Sequence, residues 1–260
     1  MISTLLTILG VILLVCCVQL IVGPVLVYSR NRQQVHPTFH EFNPQQPPMQ
    51  LPQDYFDNIE EMKRLGFALI SHLYQDNQTP GVHSCITLFT NRNEFTGAIV
   101  VYMCTENLAP LSYVEFSTEF DDGSEINTNN IENPGVFANI PAKLEYAVPH
   151  VKKVMDLYHI HQGLLLANSK TSRRKLPVPG QEVNDLCTGM SRDLERQADR
   201  GYFRPDPTTD KYRPTIKGAL LMTWKLAWPV GQIRKHLRYL NGKRIVGDLG
   251  IVFSHGDKTI

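Results

Sequence analysis

No Cys-x-x-Cys pair occurs in this 260-residue chain, although it holds five cysteines. Cys16 and Cys17 lie in an apolar N-terminus, and Cys85, Cys104 and Cys187 are scattered, so neither zinc spacing nor a disulfide framework can be read from them. The three solitary cysteines fit reduced, core-filling residues. Also missing are G-x-S-x-G, the P-loop, H-E-x-x-H and G-x-G-x-x-G. Their absence removes the motif-borne hydrolase, nucleotide, zinc-peptidase and dinucleotide chemistries. It leaves no catalytic residue, cofactor or metal set to name. Sites assembled from dispersed residues stay open, so an enzyme is not excluded.

Charge is missing altogether between Met1 and Ser29. Residues 2–28 as a helix would reach about 40 Å, more than the roughly 30 Å of a bilayer core. A cleaved secretory signal expects a basic start, a shorter apolar stretch and a small-residue cleavage site, and none is present. A lipoprotein signal fails because Val15 precedes Cys16. The reading is therefore a transmembrane anchor over residues 1–29. Arg30 and Arg32 follow the span and no Lys or Arg precedes it. The positive-inside rule then gives a single-pass protein with its N-terminus outside and its body cytoplasmic.

The formal charge of +1 conceals two opposed halves. Residues 31–170 hold 8 Lys/Arg against 16 Asp/Glu, and residues 171–260 hold 17 against 9. Such asymmetry points the basic part at an anionic partner. Residues 30–53 carry five prolines without apolar periodicity and read as a semi-rigid linker. His36 and His40 have helical spacing, but Pro37 and Pro44 deny them a helix.

Residues 54–170 read as an acidic α+β domain. Phe56, Ile59, Met62 and Leu65 recur at helical steps, with Asp54 as cap and Gly66 as stop. Four strand-like runs follow: FALISHLY, HSCITLFTN, TGAIVVYMC and LSYVEFSTEF. The third is apolar on both faces, which expects a central strand. In the fourth, period two sets Val114, Phe116, Thr118 and Phe120 on one face and Tyr113, Glu115, Ser117 and Glu119 on the other. Asp121-Asp122-Gly123-Ser124 supplies turn chemistry, and EINTNN returns as a partner strand. The glutamates lie about 13 Å apart on an extended strand, too far for a retaining carboxylate pair. The calcium-loop pattern is absent. The expectation is a structural hairpin with a wet acidic face. Residues 149–170 read as a helix whose His159 and His161 point about 200° apart, so they converge on no metal and belong at solvent or a helix end.

Residues 171–260 read as a basic, mainly helical region with a short β-ribbon. TSRRKLPVPG is a hinge, and Val183, Leu186, Cys187, Met190 and Leu194 stripe an amphipathic helix that stops at Gly201. Gly201, Tyr212, Thr215, Lys217 and Gly218 follow one another as in the closing part of winged-helix regulators, which this stretch of about 30 residues resembles. That resemblance implies a ribbon beside a DNA-contacting helix. Against it, Pro214 replaces an apolar strand residue and no helix-turn-helix lies upstream. Beyond it, Trp224 and Trp228 lie one turn apart and Pro229 bends or ends their helix. Arg234, Lys235, Arg238, Lys243 and Arg244 follow, a combination that expects contact with anionic lipid headgroups.

The reading as a whole is α+β: an N-terminal transmembrane helix, an antiparallel sheet with flanking helices, then the basic helical part with its ribbon. The expected role is non-enzymatic binding or scaffolding at a membrane surface, with lipid headgroups and a protein as partners. The alternatives are an enzyme on a lipid or membrane-proximal substrate and, with less support, a membrane-tethered nucleic-acid binder.

Overall fold

A computed structural model describes residues 2–76, 81–105, 108–168, 172–175 and 177–251. The chain opens with α1 (Ile2–Arg30), the short strands β1 (Gln33–Gln34) and β2 (His40–Glu41), and α2 (Gln53–Arg64). A meander follows: β3 (Ala68–Asp76), β4 (Val82–Asn91), β5 (Thr96–Thr105), β6 (Leu108–Glu119) and β7 (Glu125–Asn129). β8 (Lys143–Ala147), α3 (Val154–Ala167) and α4 (Glu182–Asp199) come next. β9 (Phe203–Pro205), β10 (Lys211–Pro214), α5 (Ile216–Leu226) and α6 (Val230–Asp248) complete the fold. The expected helix end at 169–170, and residues 171 and 176 of the expected hinge, lie outside the described residues.

Seven strands form one sheet in the order β2-β3-β4-β5-β6-β7-β8, antiparallel throughout except for the parallel β7–β8 pair. β5 is in the middle, as its two apolar faces require. One face is packed by α2 and α3 around Tyr55, Met62, Phe89, Val100, Phe116 and Leu157. The helical stripe of α2 runs through Tyr55, Ile59 and Met62, and Asp54 sits in its first turn rather than at the cap, which is Pro52. The opposite face carries Leu73, Ile86, Leu88 and Val101, against which Val183 and Leu186 of α4 pack. The second sheet is the ribbon β9–β10, extended by β1.

Among the described residues, no helix is long and apolar enough to cross a membrane. The expected transmembrane anchor, and with it the single-pass localisation with a cytoplasmic body, is therefore not supported. Of α1, the side chains at positions 1–3, 8, 9, 12, 13 and 15 are not described. One flank of this helix packs on protein, and Leu14, Ile21 and Val25 stay exposed. Gly23 lies so close to Thr223 of α5 that a Cβ would collide with it. Gln19 accepts a hydrogen bond from the backbone N–H of Trp228 (3.0 Å), and Cys16 donates toward its carbonyl (3.8 Å). An apolar run signals only that a helix must be covered; here α5 covers one flank.

The ribbon–α5 junction is held by Thr215. Its hydroxyl donates to the Gly201 carbonyl (2.6 Å) and accepts from the Gly218 N–H (3.1 Å), a side-chain cap at the helix start. Gly218 lies flat on the Tyr202 carbonyl, where any Cβ would strike the oxygen. Gly201 takes a positive φ of 74°, which ends α4 as its glycine predicts.

His161 is not at solvent. It is fully buried in α3, stacked on Phe116, with Nε2 3.0 Å from Thr118 Oγ1 and Nδ1 2.9 Å from Thr128 Oγ1. The hydrogen-bond order can be deduced. Thr96 donates to the Glu94 carbonyl (3.1 Å), so its oxygen must accept from Thr118 (3.2 Å). Thr118 has then spent its proton and accepts from Nε2–H, which leaves Nδ1 to accept from Thr128. Burial, with a smaller push from Arg174, lowers the His161 pKa to about 3. Nitrogen NMR should show His161 as a neutral Nε2–H tautomer, unchanged when the pH is lowered from about 7 to about 4.5. An imidazolium signal in that range would contradict the chain.

Candidate functional site

Strand alternation places Glu115, Ser117 and Glu119 of β6 on the sheet face away from α3. Their register partners Asn129, Asn127 and Glu125 of β7 share that face. Lys143, paired with Glu125 across β8, joins them. α4 reaches over this polar floor, whose Glu119, Glu125 and Lys143 remain partly exposed.

α4 is fastened along its length. Glu182 at its start bonds Arg92 (2.5 Å), and Arg192 reaches Glu119 (3.2 Å). Asp193 meets Lys143 (3.1 Å). Near the end, buried Gln197 both donates to the Ala138 carbonyl (2.6 Å) and accepts from its N–H (3.2 Å). Between these ties lies a cavity of about 260 Å³. Its apolar walls include Leu88, Phe95, Ile99, Leu186 and Met190, and Glu115, Lys143 and Arg192 stand at its polar end. Gly189 helps to make the space: it lines the cavity, and a Cβ there would meet nothing within 4 Å.

The cations lining the cavity are already engaged. Lys143 pairs with Glu125 and Asp193, Lys175 and Arg192 with Glu119, and Arg196 with Asp193. Burial alone would lower the Lys143 pKa, but Glu125, Glu115 and Asp193 outweigh it and raise it. Glu115 differs. Its hydrogen-bond partners are two neutral amides, Asn127 (3.3 Å) and Asn129 (3.1 Å). Burial pushes its carboxyl up to about 7; Lys143 opposes that, and Glu145 and Glu125 add to it. A carboxyl poised near neutrality in a cavity is the kind of group that binds or moves a proton. Among the described residues, no group of three or more His, Cys, Asp or Glu could hold a metal ion.

The expected surface residues lie elsewhere, on α5, α6 and the turn between them. Trp224 and Trp228 are half exposed. Arg234 donates to the carbonyls of Lys225 and Gly135, and Lys235 pairs with Glu132 (3.2 Å). Lys243 lies over the Tyr239 ring (4.9 Å), and Arg244 donates to Asn241 (2.9 Å). Only Arg238 touches the network described above, bonding Glu145 (2.7 Å) and Asn129 (3.1 Å). Each of the five cations thus makes a contact within the chain.

The acidic strand was legible as one face, and Glu119 and Glu125 on it do stay partly exposed; what the sequence did not show is that α4 ties down to it at Glu119 and Lys143. The missed signal was in α4 itself, where Asp193 and Arg196 lie on the flank next to the apolar Leu186. A helix that offers both apolar and charged groups to one neighbour fits a floor that is both apolar and charged.

His161 and Glu115 bend stability with pH in opposite senses. A folded histidine held to about 3 refuses the proton that the unfolded one takes near 6.5, so stability is lost as pH falls through that interval. A folded carboxyl raised to about 7 keeps its proton where the unfolded one loses it near 4.5, so stability is lost as pH rises between them. From about pH 4.5 to 6.5 the two effects offset each other. Urea denaturation should therefore show Glu115→Gln losing stability on acidification in that window, by up to about 1.4 kcal/mol per pH unit. His161→Gln should gain stability over the same range. Parallel curves for both variants and the wild type would refute the assignment.

Comparison with known proteins supplies no relative from which to read this site: no family model, curated protein or solved structure matches the chain.

Proposed function

We propose that this is a small-molecule-binding protein whose site is the cavity between α4 and the sheet. The observation that carries the reading is the pairing of an apolar-walled chamber of about 260 Å³ with lining charges that are paired with one another except, among the described residues, at Glu115 and Asp185. Ligand sites are commonly concave, mostly apolar and provided with a few converging polar groups. A compound with an apolar body and one polar end matches that division.

Calorimetric titration with n-octanol tests it. The wild type should bind, and Gly189→Leu, which sends a side chain into the cavity, should weaken binding at least tenfold. Because leucine is the better helix former by roughly 0.8–1 kcal/mol, the variant should be no less stable than the wild type. Unaltered octanol binding in Gly189→Leu would remove the cavity from consideration.

A second reading, association through an exposed apolar face, is favoured by Leu14, Ile21 and Val25 of α1 together with Ile216, Leu220 and Trp224 of α5, all at the surface. Apolar surface of that extent marks an interaction site. If another copy of the chain covers it, Ile21→Glu with Leu220→Glu should shift sedimentation from a larger species to monomer, leaving octanol binding intact. A wild type that sediments as monomer at every concentration would end this reading.

A further inference from the structure

We propose that the cavity under α4 selects ligands whose polar end is a protonated amine. This rests on the cavity being a binding site, and it follows from the balance of charge in its lining. Each lining cation has a carboxylate partner within 3.6 Å. The lining carboxylates Glu115 and Asp185 have no ion-pair partner among the described residues. Glu115 takes only two amide N–H groups from Asn127 and Asn129, leaving lone pairs available on its two oxygens.

A carboxylate lining a cavity with only neutral amides for partners asks for a donor that also carries positive charge. An ammonium group carries three N–H donors and no acceptor. An alcohol offers one donor, and a carboxylate offers none and would face Glu115, Glu125 and Asp193. The apolar walls of Leu88, Ile99 and Leu186 suit an alkyl or aryl body attached to that head.

Charge reinforces the choice. Around Glu115 stand Tyr113 on its own strand, Glu125, Lys143 and Glu145 on β7 and β8, and Arg192 and Asp193 on α4; Arg238 of α6 approaches through Asn129. Lys143, Arg192 and Arg238 are each committed to another carboxylate. A cationic ligand would complete the pairing that Glu115 lacks, and binding would release the proton that the empty site retains near neutrality. Affinity should then rise with pH through the Glu115 transition.

The test is calorimetric titration of the full chain with n-octylamine, n-octanol and octanoate at about pH 8 and about pH 5.5, where the amine is protonated throughout. Octylamine should bind at least tenfold tighter than octanoate at the higher pH. It should weaken at least tenfold at the lower pH, where Glu115 is protonated, while octanol changes little. Glu115→Gln keeps the shape of the side chain. It should retain octanol binding, which shows that the cavity is intact, and lose both the preference for the amine and its pH dependence. Octanoate binding as tightly as octylamine, or an amine preference that survives Glu115→Gln, would overturn the amine assignment and leave the cavity reading in place. Failure of all three compounds to bind would overturn both.

Discussion

Strand β6 cannot bury Phe116 against α3 without turning Glu115 toward α4. Successive side chains of a strand point to opposite faces, so the apolar and acidic sets of β6 are committed together. Phe116 is completely buried beside His161 and Tyr158, in the middle of the larger core. Its position holds the register, and the register delivers Glu115, Ser117 and Glu119 to the far side. Burying three polar side chains there under a purely apolar helix would cost several kcal/mol. The composition of α4 answers this, with Leu186 for the apolar part of the floor and Arg192 and Asp193 for the charged part. The cavity is what remains where neither kind of contact closes.

The sheet was legible in the sequence because its signals are local. Alternation, turn residues at 121–124 and an apolar central strand all lie within a few positions of one another, and Gly123 does adopt the positive φ that the turn needs. Asp122 stabilises it, accepting from the Ser124 N–H (2.9 Å). The helix over residues 182–199 was equally plain from its stripe. What escaped is non-local. Nothing near Glu115 in sequence says that a helix some 75 positions later will roof it, and nothing near His161 says that Thr118 and Thr128 will receive its ring. α3 also begins at Val154, later than the proline at 149 suggested, because a turn closed by Val151 N–H on the Val148 carbonyl (3.0 Å) first brings Val148 and Val151 into the core.

The N-terminal helix shows how little an uncharged run says about what surrounds it. Length and hydropathy alone led to a bilayer. In the structure, Gly23, Cys16 and Gln19 all serve contacts with α5 and the turn after it, two hundred residues away in sequence. The side turned from α5 remains apolar at Leu14, Ile21 and Val25. The cations after Trp228 show the same dependence on context. Lys235 and Arg238 each pair with a carboxylate of the acidic half, Glu132 and Glu145, and Arg234 donates to the Gly135 carbonyl.

The junction at Thr215 and Gly218 bears on ancestry. Two requirements meet within four residues: a hydroxyl that caps α5 while bonding back to Gly201, and a position where the Tyr202 carbonyl leaves room for hydrogen alone. Neither depends on what the cavity binds. Ligand-facing positions such as Ile99 or Leu186 can drift as a lineage changes its chemistry, whereas this junction constrains any chain that keeps the ribbon packed on α5. Gly201, Thr215 and Gly218 at this spacing therefore form a fingerprint by which distant descendants of the same ancestor could be recognised after the rest of their sequences have diverged.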